Sequence, residues 1–146
     1  MADAFDDGPA PDSFGPGVSK VQYDLSPDAQ VALDRLRAFC ALLPETAEID
    51  GLGHPTFRVK VRSFGVFEML NGRPTVCVKL PLDHQADLLG RDGFRVEPQT
   101  GHYGWTVVEL GGPVDWSEVD ELVTASYRVV APSEFVAQLN ALLAGD

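Results

Sequence analysis

A chain of 146 residues, 45% hydrophobic and 23% charged, has the size and composition of a single globular domain. Its 22 acidic and 11 basic residues give a net charge of −11, which argues against avid polyanion binding by the molecule as a whole. No apolar run approaches the roughly 18 residues of a membrane span, and the N-terminus lacks the basic start and apolar stretch of a signal peptide.

Residues 1–24 are rich in Pro, Gly, Asp and Ala, and hold Asp3, Asp6, Asp7, Asp12 and Asp24 against Lys20, a local net charge of −4. With no sustained periodicity they cannot bury enough apolar surface to offset ordering entropy, so an acidic disordered tail is expected there. A single domain is expected over 25–146. Ser26 as N-cap, Pro27 at the first helical position and Asp28 in the first turn announce a helix. Ala29, Leu33, Leu36, Phe39, Cys40 and Leu43 form its apolar stripe, and Pro44 ends it.

Glu45–Asp50 reads as a short first strand. Phe57, Val59 and Val61 then alternate with Arg58, Lys60 and Arg62, which predicts one strand carrying three cations on a single face. Val66–Leu70 follows as an apolar strand. Asn71-Gly72 is a hairpin signal, although Pro74 suggests a loop longer than two residues. Val76 and Val78 alternate with Cys77 and Lys79 in the next strand. Pro81–Leu89 reads as a short helix, and Phe94–Val96 and Trp105–Leu110 as two further strands. Asp115 and Glu118 make an acidic variant of the capping box, with Val114 and Val119 placed as a hydrophobic staple. The helix they start buries Val119, Leu122, Val123, Tyr127 and Val130, and Ser133–Leu143 is a final amphipathic helix. The sum is an α+β fold, an antiparallel β-sheet covered on one face by helices.

Several stretches together resemble the MmcQ/YjbR family. They are FCALLPE (Phe39–Glu45), GHPTFRVKVRSFG (Gly53–Gly65), VKLP (Val78–Pro81), GHYGWTVVEL (Gly101–Leu110) and ELVTASYRVVAP (Glu121–Pro132). They cover most of residues 30–135 in the right order. The resemblance implies a frataxin-like two-layer sandwich and a DNA-binding role, since members are described as DNA-binding proteins with a double-wing arrangement of β-hairpins. It brings no established catalytic residues. Relatives usually carry glycine where this chain has Val61.

The candidate nucleic-acid-binding residues are Arg58, Lys60, Arg62, Arg73 and Lys79. Residues 51–80 hold these five against Glu68 alone, a net charge of +4. Side chains two apart on a strand lie about 6.5–7 Å from one another, near the spacing of successive phosphates. The plainer reading is a solvated sheet face paired with the protein's own acids, including Glu68, Glu109 and the acidic tail. His102, Tyr103 and Trp105, set among glycines, are a candidate ligand-binding cluster that could stack on a base, or else a packed loop with Trp105 in the core.

His54, His84 and His102 lack ligand spacing, and Asp115, Glu118, Asp120 and Glu121 are explained by helix capping and the helix dipole, so neither a metal nor a cofactor is expected. There is no GxSxG elbow, Walker loop or GxGxxG, and no catalytic residues are assigned. Cys40 and Cys77, in apolar surroundings without CxxC spacing, read as buried thiols of a reducing, cytoplasmic compartment. The expected function is non-enzymatic binding of DNA or another anionic partner. The alternatives are a protein- or small-ligand-binding module with no nucleic-acid role, its pocket beside the His102–Trp105 loop, and self-association through a sheet edge.

Overall fold

Three tight hairpins organise the middle of the chain. Gly51 pairs with His54, Val59 with Arg62 and Leu70 with Arg73, leaving two-residue loops at Leu52-Gly53, Lys60-Val61 and Asn71-Gly72. Both residues of the first and third loops have positive φ (Leu52 54°, Gly53 90°; Asn71 53°, Gly72 76°), the backbone twist that two-residue hairpins favour. Pro74 does not lengthen the third loop as expected. Its carbonyl accepts from the amide of Leu110, one residue past the end of the neighbouring strand, so its missing N–H forfeits only the reciprocal bond at the very end of that ladder.

The structure, a computed structural model, describes residues 23–145, so most of the expected acidic tail lies outside the described residues. In chain order the elements are α1 (Pro27–Cys40), β1 (Thr46–Gly51), β2 (His54–Val59), β3 (Arg62–Leu70), β4 (Arg73–Lys79), α2 (Leu82–Leu88), β5 (Phe94–Val96), β6 (Trp105–Glu109), α3 (Trp116–Val130) and α4 (Ser133–Leu143). The six strands form one sheet in the order β1-β2-β3-β4-β6-β5, with every neighbouring pair antiparallel. The expected α+β architecture holds, and most element bounds fall within two residues of those read from the sequence.

The predicted basic strand does not hold. The alternation from Phe57 to Arg62 is cut by the hairpin turn at Lys60-Val61. Phe57 and Val59 enter the core, but Val61 is 71% exposed in the turn. The position where relatives usually carry glycine is thus a turn position. Beyond the turn, the ladder slips by one residue between Phe57 and Arg58, a β-bulge that makes room for Phe64 on β3.

The main core lies between the sheet and the helices. Phe57, Val59, Phe64, Phe67, Val76 and Val78 meet Leu33 and Leu36 of α1, and Val119, Leu122, Val123 and Tyr127 of α3; Leu88 of α2 and Phe135 and Leu139 of α4 join the same cluster. Three polar links fix the layers. The Arg37 guanidinium makes a two-pronged bridge to the nearly inaccessible Glu48 carboxylate on β1, at 2.8 and 2.9 Å. The Tyr127 hydroxyl donates to the Pro44 carbonyl at 2.6 Å; burial, helped by the charge of Glu45, pushes this phenol up to about 12. The fully buried Ser126 hydroxyl donates to the Phe64 carbonyl at 2.7 Å and accepts from the Lys79 amide at 2.8 Å.

At the start of α3, Asp115 caps the Glu118 amide as expected, and Val114 and Val119 both join the core. The reciprocal half of the capping box is absent from these contacts, because both Glu118 oxygens bind Arg91 at 2.8 Å.

Candidate functional site

Cross-strand register assigns each cation to a face. Arg58 stands opposite Ala47 and Ser63, and its Cβ points away from the helices because its neighbours Phe57 and Val59 point toward them. It is buried, only 3% exposed, and does not share a surface with Arg62. Lys60 and Arg62 are exposed at the β2–β3 turn, and the Lys60 ammonium sits 5.3 Å from the centre of the Phe135 ring on α4. Lys79 ends β4 on the same face as Arg58, opposite Trp105. Four of the five predicted cations therefore gather at one end of the sheet, around the β2–β3 hairpin, but on two faces.

Arg73 does not join them. It begins β4 at the other end of β3, roughly 25 Å away. There it shares Glu109 with Arg95: the Arg73–Glu109 contact is 3.1 Å and the Arg95–Glu109 contact 2.7 Å. Burial would raise the Glu109 carboxyl, but the hydrogen bonds from Arg95 and Arg73 outweigh it and hold the group below its ordinary range. Next to this clasp, a cleft of about 590 Å³ runs between the β5–β6 edge and the start of α3, with Arg91, Phe94 and Arg95 on its wall. The Arg91 guanidinium lies 4.8 Å from the Phe94 ring centre.

The remaining ion pairs show which cations are already neutralised. Arg35 meets Asp120 at 3.2 Å, Arg37 meets Glu48, and Arg91 meets Glu118. Lys60, Arg62 and Lys79 make no ion pair among the described residues.

The aromatic candidates separate as well. His102 and Tyr103 lie in a 3-10 turn with ring centres 4.0 Å apart, and Tyr103 is 59% exposed. Trp105, one strand position beyond the turn, is fully buried. Gly104 makes this switch possible. Its φ is 102°, its carbonyl accepts from the Leu80 amide, and a Cβ there would lie 2.1 Å from the Leu80 oxygen. Among the described residues no three His, Cys, Asp or Glu side chains gather as a metal site.

Sequence reading did not anticipate that the sheet face turned away from the helices is also apolar. Val66, Cys77, Trp105 and Val107 form a second buried cluster there, with Leu70 beside it. The available signal was the nearly continuous apolar run of β4 and β6, which marks strands buried on both faces. Cys40 and Cys77 are both buried thiols on opposite sides of this sheet.

The family model described as YjbR matches residues 41–129, well over half of the chain and the whole of the sheet. The chain belongs to the YjbR family. No curated protein matches it. Among solved structures, it is similar to a structural-genomics crystal structure of a protein from Pseudomonas syringae, at 16% identity and a TM-score of 0.46, over 60% of this chain and 78% of that one. The matched YjbR region includes the β2–β3 hairpin, the second apolar cluster, the sheet side of the first and the Ser126 link, and leaves out α1 and α4.

Proposed function

We propose that this YjbR protein is a non-enzymatic binding protein whose β2–β3 hairpin end receives an anionic partner, with a nucleic-acid backbone as the best chemical fit. The observation that carries this reading is the contrast among the cations. Arg35, Arg37, Arg73, Arg91 and Arg95 are bound to the protein's own carboxylates, whereas Lys60, Arg62 and Lys79 make no such pair among the described residues. Cations on a projecting hairpin contact phosphates and set register without reading bases. Three contacts make a weak, salt-sensitive site, in keeping with the net charge of −11. A reducing, cytoplasmic setting suits the two buried thiols.

Fluorescence anisotropy with duplex and single-stranded DNA tests the reading. At about 50 mM salt, binding is expected to weaken as salt rises, with a log–log slope of roughly −2 to −3 for three phosphate contacts. Lys60→Gln with Arg62→Gln should abolish it, and Arg73→Gln should leave it unchanged. Absence of binding at that salt by the full chain sinks the proposal.

The cleft beside Arg91 and Phe94 supports a second reading, a small-ligand or protein-binding module. Binding there would be insensitive to Lys60→Gln and Arg62→Gln.

A further inference from the structure

Strand register places the His102–Tyr103 turn beside the cations of the β2–β3 hairpin. Lys79 pairs with Trp105, and the Leu80 amide donates to the Gly104 carbonyl at 2.9 Å, so the turn before β6 caps the end of the sheet at which β4 finishes. Gly65 pairs with Val78, so β3 begins at that same end, with Arg62. Only β4 separates β3 from β6, which sets their backbones roughly 10 Å apart. The turn is held through its backbone. The buried Gln85 amide donates to the Gly101 carbonyl at 3.0 Å and to the Trp105 carbonyl at 3.2 Å, and the Glu97 carboxylate accepts from the Gln99 and Thr100 amides. The rings of His102 and Tyr103 take no part in those bonds. Their centres are 4.0 Å apart, His102 is exposed and Tyr103 is 59% exposed. Burial thus accounts for the aromatic ring of Trp105 but not for that of Tyr103.

We infer that His102 and Tyr103 form a stacking platform for an unpaired base, so that this end of the sheet takes a nucleic-acid single strand in preference to a duplex. The inference rests on the hairpin reading above and adds a ligand class to it. A flat ring exposed on an anchored turn lies readily against the face of a base, and every base offers one. In a duplex each base is stacked between its neighbours, which leaves only phosphates for Lys60, Arg62 and Lys79. One short run of nucleotides spans the roughly 10 Å between β3 and β6, with phosphates at Arg62 and Lys79 and a base at Tyr103. Asp83 and Glu97 border this end and keep the attraction modest; backbone amides hold one oxygen of each.

Anisotropy titrations of the full chain at about 50 mM salt test this with labelled probes of equal length: a thymidine oligonucleotide, its abasic counterpart and a duplex. The thymidine strand should bind most tightly. Tyr103→Ser should weaken that binding about tenfold while leaving the abasic strand and the duplex unchanged. Tyr103→Phe, which keeps the ring, should bind as the unaltered chain does, and Lys60→Gln with Arg62→Gln should weaken all of the probes. A thymidine strand carrying 5-iodouracil should cross-link on irradiation to the peptide that holds His102 and Tyr103. Equal binding of every probe, unmoved by Tyr103→Ser, overturns the stacking platform and leaves the hairpin reading standing. No binding of any probe overturns the hairpin reading and this inference with it. Because Tyr103 is exposed, Tyr103→Ser should also keep the urea midpoint of the unaltered chain. A lower midpoint together with an equal loss of duplex binding would assign the ring to the fold and overturn the inference.

Discussion

The Ser126 hydroxyl takes the place of a ladder bond between Phe64 and Lys79. Gly65 pairs with Val78, so the next pair in register is Phe64 with Lys79, and the carbonyl of the one and the amide of the other meet through Ser126 of α3. Ser126→Ala leaves both groups buried without that bridge. The expected cost is about 2 kcal/mol, read as a lower urea midpoint with faster exchange of the Lys79 amide. Unchanged stability would mean that β3 and β4 close directly on each other.

Arg37 and Arg35 sit on the same helix and test the weight of burial. Glu48 is 3% exposed, whereas the Arg35 and Asp120 side chains are 50% and 23% exposed. Arg37→Ala strands a buried carboxylate and should cost about 3 kcal/mol. Arg35→Ala should cost less than about 1 kcal/mol. Equal losses in chemical denaturation would contradict this account.

Gly104 and Gly72 both have positive φ but differ in surroundings. A Cβ on Gly104 meets the Leu80 oxygen at 2.1 Å, whereas one on Gly72 meets nothing within 4 Å. Gly72→Ala should therefore cost only the backbone strain, about 1 kcal/mol. Gly104→Ala should cost at least about 3 kcal/mol, or prevent folding, because backbone must move. A thermal melt of each variant compares them.

Lys60 occupies the left-handed region at φ 56° in the hairpin turn. Lys60→Gly relieves that strain while raising the entropy of the unfolded chain, so stability should change by no more than about 1 kcal/mol. DNA binding should fall severalfold all the same. A parallel loss of both would assign Lys60 to the fold rather than to the partner.

Glu109 predicts a pH dependence. Its folded carboxyl is held below the unfolded value of about 4.3, so its pairing stabilises the protein above that pH, and this contribution is lost as pH falls through the lower folded value. Arg95→Gln removes one of the two partners. The Glu109 midpoint, followed by side-chain NMR, should move upward, and acid unfolding should begin at a higher pH. A midpoint that stays in place would mean that Arg73 alone sets it.

The element order was legible because helical stripes such as Leu33–Leu36 and Val119–Val123, and caps such as Ser26 and Asp115, are local signals with local causes. The cationic strand was misread for an equally local reason: alternation persists across a two-residue turn, and Lys60-Val61 has none of the Gly or Asn that usually mark one. Arg73 was grouped with the others through proximity in sequence, whereas the length of β3 separates them. Its tie to Glu109 spans 36 positions; the plainer reading named Glu109 as a partner for these cations, but sequence alone does not say which of them it meets.

Three successive two-residue loops also bear on the order in which the protein folds. β1 to β4 zip through neighbouring residues, so each added strand closes only a short loop. β6 must instead return to β4 across α2 and β5, and Ser126 reaches Phe64 from 62 positions away. The hairpin meander is thus the natural first structure, and α3 the late-arriving piece that locks it. Substitutions in the meander should slow folding, and those in α3 should mainly hasten unfolding.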